Sequence, residues 1–460
     1  MKPILFIFTI ISFSITFAQN NQNNKPNILL INVDDLGWKD VGFMGSAYYN
    51  TPNIDSLANQ GMVFSNGYAA SSNCAPSRAC LMTGKWTPRH GIYTVDNSER
   101  GKSKDRKIIP TPNTKTLSKD HTIIPQVLSK NGYSTCHAGK WHLSDNPLEF
   151  GFQVNIGGGH NGHPKNYYPP YINVNISKGN NEHLTDLITE HAITYIDTIS
   201  KPFFLYYATY AVHTPIQAID SLMYKYENKV FWQGQNNAKY ATMIENLDRN
   251  IGLIVTKLKE KGIFKNTFIV FTSDNGGVYG ITQQKPLRAG KGSYYEGGIR
   301  EPFFFVWQDQ IKSHTQSDIP ITNLDLFPTL LNVAQIRDTY PLDGNNLLPV
   351  LQNQKQDLKR KLYWHFPIYL EAYQKNDNEN RDVLFRTRPG SVIRDGKWKL
   401  HYYFENNDIE LFNLDKDISE QYNLALEHTK QAKKMVKQLK KWWKKTNAPI
   451  PTTINPEYKD

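Results

Sequence analysis

Residues 27–35 read Asn-Ile-Leu-Leu-Ile-Asn-Val-Asp-Asp. The run is apolar at nearly every position. Alternate side chains of a strand point to opposite sides, so a strand of this composition must be covered on both faces. It stops abruptly at two carboxylates. The same pattern recurs along the chain. Tyr133–Ala138 leads into Gly139-Lys140-Trp141-His142, Phe203–Thr209 runs on towards His213, and Thr267–Thr272 ends just before Asp274-Asn275-Gly276-Gly277. Met62–Ala69 and Phe303–Trp307 read as further strands. Helical periodicity fills the intervals at 53–61, 123–130 (closed by Asn131-Gly132), 183–199 and 237–261 (closed by Gly262). Strands alternating with helices predict an α/β fold, a large mostly parallel sheet flanked by helices. Ligands of such sheets bind beyond the carboxyl ends of the strands. The polar clusters that end these strands should therefore meet on one edge.

Beyond this region the pattern changes. Residues 336–390 are rich in Asp, Asn, Gln and Pro and read as a linker with irregular structure. Ser391–Tyr403 then alternates about a turn at Asp395-Gly396, Ile409–Asn413 adds a short strand, and 427–446 is a strongly basic helix. Residues 391–460 thus read as a small C-terminal α+β subdomain, an antiparallel sheet packed on a helix. At the other end, residues 1–18 carry Lys2, an apolar run from Ile4 to Phe17, and Ala18 before a polar Gln/Asn tract. That is the pattern of a secretory signal peptide, so the protein is expected to be exported, to the periplasm or beyond. No other stretch approaches the ~20 apolar residues of a membrane span. The net charge of +11 suits a polyanionic partner. No nucleic-acid recognition motif accompanies it, so nucleic acid is not the partner expected.

One stretch carries specific chemistry. Residues 73–91 read Asn-Cys-Ala-Pro-Ser-Arg-Ala-Cys-Leu-Met-Thr-Gly-Lys-Trp-Thr-Pro-Arg-His-Gly. Pro76 suits the first turn of a helix and Gly84 its end. Cys74 then lies at a helix N-terminus, where free N–H groups and the dipole favour an anion, with Arg78 one turn on. Cys74-x-Pro76-Ser77-Arg78-x-x-Leu81-x-Thr83-Gly84 resembles the signature of the formylglycine-dependent sulfatases. Gly139-Lys140-Trp141-His142-Leu143, His213-Thr214-Pro215 and Gly290-Lys291-Gly292 are similar to further motifs of that family, in its order along the chain. The resemblance spans roughly residues 27–335, implying a catalytic domain of residues 25–335, and continues more loosely through Gly396-Lys397-Trp398-Lys399-Leu400 and Glu410-Leu411-Phe412-Asn413-Leu414.

The resemblance implies an alkaline-phosphatase-like fold and a sulfuric ester hydrolase. It implies that a maturation enzyme oxidises Cys74 to formylglycine, whose hydrate is the nucleophile. Asp34, Asp35, Asp274, Asn275 and the modified Cys74 would hold one Ca²⁺, with Mg²⁺ the alternative, because their donors are hard oxygens. Arg78, Lys140 and Lys291 would disperse charge on the sulfuryl group. His213 would protonate the leaving oxygen and His142 would take the second hydroxyl proton. Cys80 and Cys136 would remain as buried thiols rather than a disulfide. A sulfated polysaccharide or oligosaccharide, such as ulvan, carrageenan or glycosaminoglycan fragments, is the expected substrate. His160, His163, Arg386 and Arg388 are its candidate contacts. A phosphodiesterase or phosphonate hydrolase of the same superfamily could use much of this set, and a binder of sulfated glycans without turnover is the non-enzymatic alternative.

Overall fold

Asn27–Val33 forms β1, buried at all seven positions in the middle of the main sheet. The structure is a computed structural model describing residues 25–459 except 177–180, 355–356 and 374–378. The signal-peptide reading of residues 1–18 lies outside the described residues. The other strands of the main sheet are β2 (Met62–Tyr68), β3 (Ser134–Gly139), β4 (Val154–Ile156), β5 (Phe203–Ala208), β6 (Thr267–Ser273), β7 (Arg300–Val306), β8 (Thr315–Ser317) and β9 (Ile321–Thr322). Their order is β4-β3-β5-β1-β6-β7-β2-β8, with β9 also on β2. β1 pairs in parallel with β5 and β6, and β3 with β4 and β5. β7 runs the other way against both β6 and β2, so β2 points along the parallel set.

The two-residue period of β1 divides the core in two. Leu29, Ile31 and Val33 pack with Leu247, Ile251 and Ile254 of the helix Ala238–Glu260. Ile28 and Leu30 pack on the opposite face with Leu81 and Met82 of the helix Cys74–Thr83 and with Leu326 and Leu330. Each such side chain contributes about 1.5–3 kcal/mol on burial. The mostly parallel sheet expected from sequence is therefore present, with helices on both faces. The three cysteines are free and buried.

The segment read as an irregular linker contains secondary structure. Its strands are β10 (Lys361–Phe366), β11 (Leu370–Glu371) and β12 (Phe385–Thr387). With β13 (Gly390–Asp395), β14 (Trp398–Tyr403) and β15 (Ile409–Asn413), β10 makes an antiparallel sheet in the order β10-β13-β14-β15. The six residues Lys-Leu-Tyr-Trp-His-Phe form the edge strand, because Leu362, Trp364 and Phe366 bury against Tyr68 and Tyr294 of the larger domain. Polar flanks conceal so short a run when composition is read over the whole segment. The helix Thr429–Thr446 covers this sheet through Met435, Leu439 and Trp443.

Candidate active site

All the polar strand ends meet at the carboxyl edge of the main sheet, as such sheets require. β1 delivers Asp34 and Asp35, β3 delivers Lys140 and His142, β5 leads to His213, and β6 delivers Asp274 and Asn275. β2 ends at Tyr68 and feeds the helix that begins at Cys74. Because β7 is antiparallel, the segment before its start, carrying Lys291, arrives at the same edge.

The helix of Cys74 runs to Thr83 and closes on Gly84, whose φ of 63° is left-handed and whose N–H donates to Cys80 O at 2.8 Å. Cys74 is 2% exposed. Burial pushes its thiol up, but Lys140 and Lys291 outweigh that and bring it down to about 6. Around it, three carboxylates and three cations pair one to one. Lys140 Nζ donates to both oxygens of Asp34 at 2.8 and 2.7 Å. Lys291 Nζ lies 2.7 and 2.8 Å from the two oxygens of Asp35. Arg78 Nε donates to Asp274 Oδ2 at 2.8 Å. Burial alone would raise the Asp35 carboxyl, yet Lys291 and His213 hold it well below the usual range.

Two of these residues sit in backbone that side chains rarely adopt. Asp35 has φ 59° and His142 φ 63°, a left-handed conformation costing roughly 1–3 kcal/mol without glycine. Both are pinned by neighbours. The N–H of Asp35 donates to Asp274 Oδ1 at 3.2 Å, and that of His142 to Gly159 O at 2.9 Å. Gly139 makes the Lys140 turn possible, because its φ is 108° and a Cβ would lie 2.0 Å from Ala208 O. His213 directs Nδ1 at Thr214 O, 2.8 Å away, and Nε2 at Asp35 Oδ2, 3.5 Å away. His142 leaves a buried Nδ1 without a partner.

The donor set fits a divalent cation. Single atoms of Asp34, Cys74 and Asp274 lie within 4.8 Å of one another, as do those of Asp35, Cys74 and His213. Asn275 donates Nδ2 to Asp35 Oδ1 at 2.8 Å, while its Oδ1 is buried with no donor. Buried acceptors are normally paired, and an unpaired carbonyl oxygen among three carboxylates suits an oxygen-binding ion.

The four residues read as substrate contacts divide. His163 stacks on His213, ring centroids 5.3 Å apart, and His160 meets His142 edge-on at 6.3 Å. Their loop packs directly on the site, since a Cβ on Gly162 would lie 2.5 Å from the His142 ring. Arg386 stands behind Lys291, donating to its carbonyl at 3.2 Å and lying 3.4 Å from the Tyr373 ring centroid. Arg388 is turned elsewhere, paired with Asp382 and with Glu405 at 2.9 Å.

Sequence reading missed two tyrosines. Tyr206, inside β5, accepts from Asn32 Nδ2 at 2.9 Å and from Arg78 Nη1 at 3.5 Å, steadying that guanidinium. Tyr167 donates to the carbonyls of Tyr210 and His213 at 2.6 and 2.9 Å. Only the hydroxyls distinguish these positions from core phenylalanine.

An anion site of paired carboxylates and cations, closed by a helix N-terminus on a mostly parallel sheet, is that of an alkaline-phosphatase-superfamily hydrolase. The chain belongs to the type I sulfatase family: the family model described as sulfatase matches residues 26–336, and one described as N-sulphoglucosamine sulphohydrolase, C-terminal, matches residues 290–448. It is accordingly a sulfuric ester hydrolase. Among its relatives is a sulfatase of Formosa agariphila, 32% identical over 94% of this chain and 91% of that protein. N-acetylgalactosamine-6-sulfatase of Rattus norvegicus is 33% identical over 71% of this chain and 66% of its own. The crystal structure of Ps i-CgsB in complex with k-i-k-neocarrahexaose is similar over 94% of this chain and 95% of that one, with 31% identity and a TM-score of 0.75.

Proposed function

We propose that the protein is an exported carbohydrate sulfatase that uses a calcium ion and a formylglycine made from Cys74. The observation that carries this reading is the buried set of Asp34, Asp35 and Asp274, each paired with a cation, around Cys74. The relatives named for N-acetylgalactosamine 6-sulfate and bound to a carrageenan hexasaccharide support a sulfated sugar as substrate.

When present, the hydrated aldehyde at residue 74 would supply the attacking oxygen, and a calcium ion on Asp34, Asp35, Asp274, Asn275 and residue 74 would polarise the sulfate. The remaining work falls to the chain's own side chains. Arg78, Lys140 and Lys291 are fixed cations in a dry site, where charge on a flattening sulfuryl group is stabilised without reorganisation. The Nδ1–H of His213 is held by a carbonyl, which leaves Nε2 to deliver a proton to the leaving sugar oxygen. His142 offers a buried Nδ1 for the opposite transfer. His160 and His163 then contact the sugar beside the ester.

The test is sulfate release from defined carrageenan oligosaccharides and from N-acetylgalactosamine 6-sulfate, using protein co-expressed with a formylglycine-generating enzyme. The peptide containing residue 74 should be about 18 Da lighter than its cysteine form, and Cys74→Ala should abolish release. Release from neither sugar by fully converted protein would overturn the carbohydrate assignment. Undiminished release by Cys74→Ala would overturn the nucleophile.

A further inference from the structure

The helix Thr429–Thr446 carries eight lysines and no acid, most of the chain's net charge of +11. Most of its apolar side is used: Met435, Leu439 and Trp443 pack with Ile393, Leu400 and Leu411 of the antiparallel sheet. Its other side is bare. Lys433, Lys437, Lys440, Lys441 and Lys444 are exposed and line a groove of about 430 Å³. The floor of that groove is apolar, formed by Ile409 and Val436. Among the described residues, no carboxylate forms an ion pair with any of these lysines. Such a concentration of unneutralised charge is costly to maintain by self-repulsion unless an anion meets it.

The groove is also separate from the active site. Successive residues of β13 and β14 face opposite ways. Ile393 and Leu400 face the basic helix, whereas Lys399 and His401 face Glu420, and Lys399 also meets Glu296 beyond the Lys291 loop. The helix and the loop therefore lie on opposite faces of one sheet.

We propose that this groove is a second, non-catalytic binding site for a sulfated polysaccharide strand, which anchors the enzyme on its polymeric substrate. The choice of ligand rests on the carbohydrate-sulfatase reading above. From Lys433 to Lys444 the lysines recur at each turn, over about 16 Å at 1.5 Å per residue, the reach of a short oligosaccharide. Charge complementarity supplies the sulfate contacts, and Ile409 and Val436 offer apolar surface to the faces of sugar rings. A membrane surface fits less well, because the apolar face needed for insertion is buried under the helix. Single-stranded nucleic acid fits less well too, because the groove presents no aromatic ring for bases to stack on. Anchoring raises the local concentration of ester groups near the active site without adding a catalytic contact.

The experiment measures carrageenan binding by affinity electrophoresis at two salt concentrations, in a Cys74→Ala background that prevents turnover. One variant combines Lys433→Gln, Lys437→Gln, Lys440→Gln and Lys444→Gln. A control removes the same charge elsewhere through Lys201→Gln, Lys239→Gln, Lys259→Gln and Lys312→Gln. The groove variant should bind at least tenfold more weakly with a shallower salt dependence, and the control should change less than twofold. With Cys74 restored, the groove variant should turn over a small aryl sulfate at the parent rate. Equal weakening in both variants, or none in the groove variant, would overturn the proposal. So would DNA or anionic phosphatidylglycerol vesicles that bind more tightly than carrageenan through the same four lysines. Because binding is read without turnover, failure of the enzymatic reading and failure of the groove are separate results.

Discussion

Lys140 holds both oxygens of Asp34, and Arg78 Nη2 lies further off, at 3.8 Å. Asp34 is fully buried, so removing its partner leaves an uncompensated charge, a loss of roughly 3–5 kcal/mol. Lys140→Ala should show that full loss in chelator. A divalent ion would give Asp34 a new partner, so added calcium should recover part of it. Denaturant titrations with and without calcium check this, and an equal loss in both would remove Asp34 from the proposed metal site. Gly139 supports the same lysine from the backbone. Gly139→Ala places a methyl 2.0 Å from Ala208 O at φ 108°, and should cost more than 1 kcal/mol as well as activity; a variant of parental stability would contradict the turn described. The positions of the aspartates, Lys140 and the two candidate histidines stood out because each comes after an apolar run, whereas Lys291 precedes its strand and stood out only through the Gly290-Lys291-Gly292 motif. Tyr206 and Tyr167 were not, since an aromatic in or near a buried strand reads as packing whether or not its hydroxyl works. Arg386 and Arg388 look equivalent in sequence, and only the folded positions of Asp382 and Glu405 separate them.

At the scale of elements, the Lys291 loop is tied to the C-terminal sheet by a buried ionic network. Lys399 Nζ lies 2.9 Å from both Glu296 Oε1 and Glu420 Oε1, and the Glu296 N–H donates to Glu420 Oε2 at 2.6 Å. Arg386 and Thr387 of β12 hold the carbonyls of Lys291 and Gly292. Burial would raise the Glu296 carboxyl, but Lys399, Arg300 and Arg394 bring it down to about 2, from an ordinary 4.5. A depressed folded-state value means that the unfolded chain takes up the proton first as pH falls. The network's contribution is therefore complete above about pH 4.5 and lost progressively towards pH 2, on the order of 3 kcal/mol in all. Glu296→Gln should be less stable than the parent at pH 6, with the two curves converging as pH approaches 2. Parallel curves across that range would show that the carboxylate contributes nothing. None of this network was legible, because Glu296, Lys399 and Glu420 are ordinary surface residues by composition. The long helices and β1, β5 and β6 were legible from period and apolarity alone. β10 was not, since its value lies in Leu362, Trp364 and Phe366 meeting a surface more than 290 residues away in Tyr68.

At the scale of the molecule, the two sheets share their cores. Ala70, Cys80, Trp86 and Ile108 from the larger domain cluster with Ile393, Leu400, Leu411 and Met435. Tyr68, Tyr93, Tyr294 and Ile299 cluster with Leu362, Trp364, Phe366 and Val392. Trp364 Nε1 also donates to Ala69 O at 2.8 Å, five residues before Cys74. Separating the sheets would expose several large apolar side chains on each partner, at about 1.5–3 kcal/mol each. That sum rivals the ~5–15 kcal/mol of net stability a folded domain possesses, so neither part should persist alone. The full chain is therefore expected to melt in one calorimetric transition, with calorimetric and van't Hoff enthalpies equal. A chain ending at residue 358 should be recovered unfolded or aggregated and should release no sulfate, although it contains Cys74, the three aspartates and all three cations of the site. Two resolved transitions in the full chain, or a soluble and active truncated form, would show that the C-terminal sheet is an attachment rather than a wall of the active-site domain.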